Sequence, residues 1–318
     1  MTTRFMQLIA ELHNGNQRAI ARTISLVENN SEHASAIIDT IAKSTGNAQR
    51  VGITGPPGAG KSTLTLQITK HFLSMDLKVG VIAVDPTSPF TGGAVLGDRI
   101  RMQELYGNPN VFIRSMATRG SLGGLAEKTI DAADILDAAG YDIILIETVG
   151  VGQSELDILY TADTVVVTIV PESGDGIQAI KAGLMEIADI FVVNKADRPK
   201  AQSSVEALKA MLGLRQHDEN TIFPPILSTV ASENKHCDLV ATEIIEHHKR
   251  QKSSGVLAKK RNEKLAHRIT GIVINSLVQK AKERAIHCIE THDPTAGSIA
   301  PYSKAADLLK IISEEQLG

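Results

Sequence analysis

The chain has 318 residues, of which 42% are hydrophobic and 22% charged, enough to bury a large α/β core with flanking helices. Its net charge of −3 at pH 7 gives the surface no overall attraction for nucleic acid or anionic lipid, so neither is expected as a partner. Cys237 and Cys288 lie far apart, which excludes a disulfide scaffold. With no signal-peptide pattern and no membrane-spanning stretch in the sequence, we expect a cytoplasmic protein.

The N-terminal residues 4–44 repeat apolar side chains at helical spacing, beginning with Phe5, Leu8 and Ile9. A break at Asn14-Gly15-Asn16 predicts two helices, one on each side. We assign residues 1–46 to an N-terminal helical extension.

From Val51 onward, short β-branched runs alternate with helical stretches. The runs are apolar throughout, so both faces of each strand should be covered by helices. This pattern predicts an α/β fold with a doubly wound, mostly parallel sheet in residues 47–235. The predicted strands are 51–54, 79–84, 111–114, 143–147, 164–170, 190–193 and 226–227.

Residues 236–318 lack strand patterns and form a predicted C-terminal helical region. Helical sequence runs from Leu239 to Lys282, and a last helix is predicted from Ser303 to Leu317. That last helix has an apolar stripe, which must bury against a partner subunit or against the chain's own domain. We expect homodimerisation through this region.

Residues 55–62 fit the pattern G-x-x-x-x-G-K-[ST] completely, directly after one predicted strand and before a helical run. Glycines in such a loop let backbone N–H groups turn inward and form an anion nest at a helix N-terminus. The lysine then reaches the β- and γ-phosphates, and the serine hydroxyl binds Mg²⁺. The predicted phosphate site consists of Gly55, Pro56, Pro57, Gly58, Ala59, Gly60, Lys61, Ser62 and Thr63.

Three carboxylates at or near strand ends can complete a magnesium site with Ser62. Asp85 follows the strand 79–84, Asp98 lies in the glycine-rich loop after it, and Glu147 ends the strand 143–147. The carboxyl ends of the strands are where the ligand crevice of an open α/β sheet lies, and Mg²⁺ prefers such oxygen ligands.

A nucleotide-sensing loop is predicted after Glu147. Gly150 stands where its N–H can bond the γ-phosphate, so loss of that phosphate would release the loop. This second switch comprises residues 150–155, and the first should lie within 85–101. Gln153 can orient the attacking water, but it does not directly follow Gly150, so we expect slow intrinsic turnover.

The segment Asn194-Lys195-Ala196-Asp197 follows a predicted strand, where a guanine-recognition loop belongs. Asp197 can accept hydrogen bonds from the ring N–H and amino group of guanine, a donor edge that adenine lacks. Lys195 can lie along the base, and Asn194 can tie this loop to the phosphate loop. A further base contact is expected from backbone N–H groups in the segment Thr229, Val230 and Ala231. The predicted substrate and product are GTP and GDP.

Together these motifs resemble the MeaB/ArgK family of P-loop GTPases, which includes the methylmalonic aciduria type A protein. Matching segments extend over essentially the whole chain, from the N-terminal helices to residues 301–306. They include 52–63, 84–88, 92–102, 121–125, 147–155 and 194–197. The resemblance implies a GTPase that assists B12-dependent acyl-CoA mutases, by gating cobalamin loading and protecting or rescuing the mutase, without binding cobalamin itself.

The same resemblance implies that Ser62, Asp85, Asp98 and Glu147 form or support the Mg²⁺ site. It also implies a third switch, residues 171–181, in which Lys181 becomes available to the transition state or to the partner. Arg101 is a second candidate cation for the developing charge. One departure is Val230, where the family commonly has serine: a backbone donor survives this change, but a side-chain contact does not.

Two other functions stay open. Related GTPases deliver nickel to hydrogenase or urease, although the ten histidines of this chain form no compelling Cys/His ligand cluster. Similar sequences have also been described as kinases or energisers of amino-acid transport, which predicts phosphate transfer to a protein.

Overall fold

The computed structural model describes residues 3–85, 102–117, 124–148, 154–171, 182–214, 223–290 and 300–314. The chain divides into two compact units, residues 1–260 and 261–318. The first unit is an α/β domain and the second is helical, and each is considered by itself.

A seven-stranded sheet, parallel throughout, forms the centre of the first unit. Its order is β3-β2-β4-β1-β5-β6-β7, with β1 in the middle. The predicted strands all occur, and most are longer than predicted by one to three residues. The bounds are β1 Gln49–Thr54, β2 Val79–Asp85, β3 Val111–Ala117, β4 Ile143–Glu147, β5 Thr164–Ile169, β6 Ile190–Asn194 and β7 Ile226–Thr229.

Helices cover both faces of this sheet, as the continuous apolar strands predict. The described α-helices are α1 Thr3–His13, α2 Gln17–Glu28, α3 Ala34–Ile41, α4 Lys61–Ser74, α5 Gly124–Ala138, α6 Ser154–Thr161, α7 Ala182–Ile187, α8 Ala201–Gly213, α9 Cys237–Ser253, α10 Val256–Glu290 and α11 Pro301–Glu314. One core cluster joins α4 and α9 to one face of the sheet. A larger cluster joins α1, α2, α3 and α5 to the other face.

The N-terminal extension contains three helices, where the sequence predicts two. The additional helix, α3, buries Ile37 and Ile41 in the same core cluster as Leu136 of α5. Helices α1 to α3 therefore belong to the same compact unit as the sheet, as does α9. The unit ends at residue 260, whereas the sequence-based division places boundaries after 46 and after 235.

Charged side chains fix the amino end of β1. Asp137 of α5 accepts hydrogen bonds from the backbone N–H groups of Gly46, Asn47 and Ala48, over 2.8 to 3.1 Å. Arg50 donates to Asp134 over 2.6 Å and to Asp137 over 3.2 Å. These contacts bind the start of the central strand to α5, at the sheet edge opposite the phosphate loop.

The second unit contains most of α10 and the whole of α11. Many large apolar side chains of α10 are exposed, from Leu265 to Ile289. On α11, Ile312 is buried and Leu309 is 64% exposed, so the predicted apolar stripe is only partly covered. Among the described helices, none is long and apolar enough to cross a membrane.

Candidate functional site: a phosphate loop joined to a base loop

The phosphate loop between β1 and α4 requires glycine at two positions for different reasons. Gly55 has φ of 138°, and a Cβ there would stand 2.0 Å from the backbone oxygen of Thr168. Gly60 has φ of 87° and caps α4, and a Cβ there would stand 2.3 Å from Asn194 Nδ2. The loop therefore packs against β5 and against the base loop, the predicted guanine-recognition segment 194–197, and only glycine fits both positions.

Lys61 brings a buried positive charge into this loop. It is the first residue of α4, is 6% exposed, and its Nζ donates to the carbonyl oxygens of Gly55 and Pro56 over 2.9 and 3.1 Å. The first N–H groups of a helix have no acceptor within the helix itself. An ammonium group and a helix N-terminus together suit the binding of phosphate oxygens.

Ser62 and Glu147 meet at the carboxyl ends of the strands. Ser62 Oγ donates to Glu147 Oε1 over 2.6 Å, and both residues are buried. Asp85, the last residue of β2, lies two positions beyond Ala83, which pairs with Glu147 in the register. The Ser62 hydroxyl group beside the Glu147 carboxylate supplies the hard oxygen ligands that Mg²⁺ prefers, so these two residues fit the ion.

A threonine pair beside this site was not found by sequence reasoning. Thr148 Oγ1 donates to Thr54 Oγ1 over 2.9 Å, and Thr148 N donates to the oxygen of Ile53 over 3.0 Å. Both threonines are buried. The chain leaving β4 is thus fixed to the end of β1, immediately before residues 149–153.

The base loop is joined to the phosphate loop through Asn194, as the sequence predicts. Asn194 Nδ2 donates to the oxygen of Ala59 over 2.9 Å. Its Oδ1 accepts from Thr229 Oγ1 and from Ala231 N, each over 3.1 Å. One buried side chain therefore connects the phosphate loop, the end of β6 and the end of β7.

The other two residues of the base motif have different environments. Lys195 is half-buried and has φ of 58°, in the left-handed region. Asp197 is exposed, so its carboxylate is accessible to a base. Between them, Ala196 N donates to the oxygen of Thr229 over 2.9 Å. This hydrogen bond places the base loop beside the segment 229–231, where the further base contact is predicted.

The backbone donors predicted at Val230 and Ala231 are both used within the protein. Val230 N donates to the oxygen of Lys235 over 3.1 Å, and Ala231 N donates to Asn194. A base contact here stays a prediction. It would require each of these N–H groups to form a bifurcated hydrogen bond, with one acceptor in the protein and one in the base.

The predicted residues Asp98, Arg101, Gly150, Gln153 and Lys181 lie outside the described residues. For the nickel alternative, no group of three His, Cys, Asp or Glu side chains that could hold a metal occurs in the described part of the chain. Cys237 is buried, and burial raises the pKa of its thiol to about 11.

Comparison with known proteins identifies the family. The family model described as "Methylmalonyl Co-A mutase-associated GTPase MeaB" matches residues 20–285, which is most of the chain. The chain belongs to the MeaB family. It is therefore a GTPase, and the predicted P-loop α/β fold is confirmed.

Individual relatives of this MeaB-family protein extend the comparison. A Pyrococcus abyssi protein is 50% identical over 316 residues, 96% of each chain. The methylmalonic aciduria type A homolog, mitochondrial, of Mus musculus is 39% identical over 216 residues, 67% of this chain and 52% of the mouse protein. A crystal structure of a LAO/AO transport system kinase superposes with a TM-score of 0.71 and 25% identity, covering 98% of this chain and 99% of that chain.

Proposed function

We propose that this MeaB-family GTPase is a G-protein chaperone of a B12-dependent acyl-CoA mutase. It would gate cobalamin loading and protect or reactivate methylmalonyl-CoA mutase or a related enzyme, while cobalamin binds the mutase and not this chain. The observation that carries the proposal is the family match over residues 20–285, since that family is described as mutase-associated. The mouse relative named for methylmalonic aciduria supports it.

In this proposal the nucleotide lies across the two loops that Asn194 joins. Lys61 and the phosphate loop bind the phosphates, while Asp197 and Lys195 bind guanine. Ser62 and Glu147, with Asp85 and Asp98, hold Mg²⁺, which supplies positive charge to the β- and γ-phosphate oxygens. The short Ser62–Glu147 hydrogen bond supports this assignment, because it brings the two proposed oxygen ligands of the ion together.

Communication with the partner would run through the switches. Gly150 bonds the γ-phosphate, Gln153 orients water, and Arg101 and Lys181 neutralise developing charge after the partner reshapes their loops. The Thr54–Thr148 hydrogen bond fixes the residues just before the second switch to the end of β1. Intrinsic hydrolysis is then slow and becomes faster in the complex.

Steady-state GTP hydrolysis with and without a purified B12-dependent acyl-CoA mutase tests the partnership. The rate should rise with mutase concentration and saturate, and GTP should be preferred over ATP in direct binding. An unchanged hydrolysis rate together with the absence of a complex on a sizing column would contradict the mutase partnership. Equal affinities for GTP and ATP would contradict the base-loop assignment instead.

The magnesium assignment has its own test. Ser62→Ala and Glu147→Gln should each reduce the Mg²⁺ dependence of GTP affinity, because each removes one oxygen donor. Ser203→Ala is the matched control, since Ser203 lies on α8 and bonds only Lys200 O among the described contacts. A Mg²⁺ titration that is the same in all three variants and the wild type would remove Ser62 and Glu147 from the site.

Homodimerisation through the C-terminal helical region is part of the proposal. Eight large apolar side chains of α10 are at least 45% exposed, and surfaces of this kind mark protein interfaces. They are Leu265, Ile269, Ile272, Val273, Ile274, Val278, Ile286 and Ile289.

Analytical ultracentrifugation tests this interface. The double variant Ile269→Glu/Val273→Glu should give a monomer. The control Met75→Glu, at a 43% exposed residue of the first unit, should leave the dimer intact. A wild-type monomer at all concentrations would contradict this.

One alternative has a specific observation in its favour, the structural likeness to a protein described as a transport system kinase. A kinase would transfer the γ-phosphate to a protein and not to water. Incubation with γ-labelled GTP separates the two functions: release of all label as inorganic phosphate supports the GTPase chaperone, and labelled protein supports the kinase.

A further inference from the structure

Two consecutive residues at the carboxyl end of β4 bond to the two sides of the phosphate loop. Glu147 Oε1 accepts a hydrogen bond from Ser62 Oγ over 2.6 Å, and Ser62 lies in the first turn of α4, just after the loop. Thr148 Oγ1 donates to Thr54 Oγ1 over 2.9 Å, and Thr54 is the last residue before the loop. The end of β4 therefore holds the phosphate loop on both sides.

The two side chains reach opposite faces of the sheet, as consecutive residues of an extended chain do. Leu145, two residues before Glu147, belongs to the core cluster on the α4 face. Ile146, two residues before Thr148, belongs to the cluster on the other face. The backbone between Glu147 and Thr148 is therefore fixed by a side-chain hydrogen bond on each face.

The threonine pair lies where backbone pairing between β1 and β4 ends. The last pair in the register is Ile53 with Glu147, and Thr148 N donates to Ile53 O over 3.0 Å. After Thr54 the chain enters the loop, and Gly55 has φ of 138°. The two hydroxyl groups therefore continue the pairing by one position, at the point where β1 gives way to the loop.

Loss of this bond should move Glu147. Both threonines are buried, so removal of one hydroxyl group leaves the other without its partner and without water to replace it. The freed hydroxyl can regain a partner only if the chain shifts, and Thr148 shares a peptide bond with Glu147. Mg²⁺ tolerates little distortion of its octahedral shell, so a small shift of the carboxylate should weaken the ion.

We propose that the Thr54–Thr148 hydroxyl pair is a positioning element of the magnesium site: it holds the Glu147 carboxylate opposite Ser62 and thereby sets how strongly Mg²⁺ strengthens nucleotide binding. The inference rests on the proposed roles of Ser62 and Glu147 as ligands of the ion. It assigns to the two threonines an effect that acts through Glu147, because their hydroxyl groups bond to each other.

Calorimetry of the whole chain with a non-hydrolysable GTP analogue, in excess Mg²⁺ and in EDTA, tests the proposal. Thr148→Val should reduce the affinity in Mg²⁺ about 3- to 10-fold, the range for one neutral hydrogen bond, and should leave the affinity in EDTA unchanged. Thr54→Val should give the same selective loss. Thr148→Ser keeps a hydroxyl group and should retain most of the Mg²⁺ effect.

The double variant Thr54→Val/Thr148→Val separates positioning from stability. Each single variant leaves one buried hydroxyl unpaired and should lower the melting temperature, whereas the double variant removes both hydroxyl groups and should recover it. Because the same hydrogen bond is absent in all three, the double variant should keep the Mg²⁺-specific loss, no larger than in either single variant. Recovery of the Mg²⁺ effect together with the melting temperature would overturn the proposal.

Thr23→Val is the matched control, since Thr23 is a buried threonine of α2 whose hydroxyl donates to Ala19 O over 2.8 Å. It should lower stability and leave the ratio of affinities in Mg²⁺ and EDTA unchanged. The proposal is overturned if Thr148→Val keeps the same ratio as Thr23→Val. Glu147→Gln separates the two levels: if it too leaves the ratio unchanged, the magnesium assignment fails, and if it alone lowers the ratio, only the positioning role fails.

Discussion

Asn194 and Ala59, which are far apart in the sequence, are joined by a buried hydrogen bond of 2.9 Å from side-chain Nδ2 to backbone oxygen. Ala59 lies inside the phosphate loop and Asn194 ends β6. The contact couples the phosphate loop to the base loop, because movement of either loop alone would break it. Nucleotide affinity should therefore depend on a residue that need not contact nucleotide.

Replacement of Asn194 should uncouple the phosphate loop from the base loop. Asn194→Ala removes all three side-chain hydrogen bonds and should lower GDP affinity about 10- to 100-fold, since buried partners are left unsatisfied. Asn194→Asp keeps the acceptor for Thr229 and Ala231 but sets an oxygen against Ala59 O. If Asn194→Asp binds GDP as well as the wild type in calorimetry, the link to Ala59 is unimportant.

Two glycines of the phosphate loop should respond differently to alanine. Gly60→Ala places a Cβ 2.3 Å from Asn194 Nδ2, whereas a Cβ at Gly58 meets nothing within 4 Å. Both have positive φ, so each variant carries backbone strain of about 1 kcal/mol. Only Gly60→Ala adds a clash. GDP binding by calorimetry should be abolished in Gly60→Ala and only weakened in Gly58→Ala, and equal losses would contradict the clash argument.

His247 on α9 should make stability depend on pH. Burial lowers its pKa below the ordinary value of 6.5; Asp189 and Glu243 oppose the shift, while Lys260 and Arg250 add to it. Its Nδ1 lies 2.9 Å from Thr164 Oγ1 and its Nε2 lies 3.5 Å from Asp189 Oδ1.

Because the folded-state pKa of His247 is depressed, the unfolded state binds the extra proton more readily. The contribution of the neutral imidazole is therefore present above pH 6.5 and is lost as the pH falls through and below that value. Urea unfolding of the wild type and His247→Gln should show their stability difference shrink on acidification. A constant difference would contradict this, and His13→Gln, at an exposed histidine of α1, should match the wild type at each pH.

A buried hydroxyl group in β5 offers a stabilising substitution. Thr168 is 0% exposed, and its Oγ1 has no hydrogen-bond partner among the described residues. Thr168→Val should raise the free energy of unfolding by about 1 kcal/mol, since an unsatisfied buried hydroxyl is replaced by a methyl group. Thr229→Val is the contrasting variant, because that hydroxyl bonds Asn194 and its loss should destabilise. Chemical denaturation of both variants would check the signs.

Local sequence was sufficient to predict the sheet and the position of the loop between β1 and α4. The pattern predicts the strand 143–147 with its observed bounds, because a short apolar run rich in isoleucine is typical of a strand covered on both faces. The prediction for β7 stopped at Leu227, since Ser228 and Thr229 are polar. They continue the strand because Thr229 is bonded to Asn194 on the neighbouring strand.

Features that depend on tertiary contacts were not predictable in the same way. Helix α3 is eight residues long, and its two buried isoleucines, Ile37 and Ile41, belong to a core cluster that also contains residues of α2 and α5. The phosphate loop could be predicted because its chemistry is contained within eight consecutive residues.

The central position of β1 has a consequence for synthesis of the protein. Val51 pairs with Leu145 of β4 on one side and with Thr164 of β5 on the other. In a nascent chain the apolar strand β1 therefore has no neighbouring strand to pair with until β4 and β5 have left the ribosome. Parallel pairings of such long range form slowly and leave strand edges open to other chains. Cellular yield of this protein should therefore respond to translation rate and holdase supply more than to changes in its final stability.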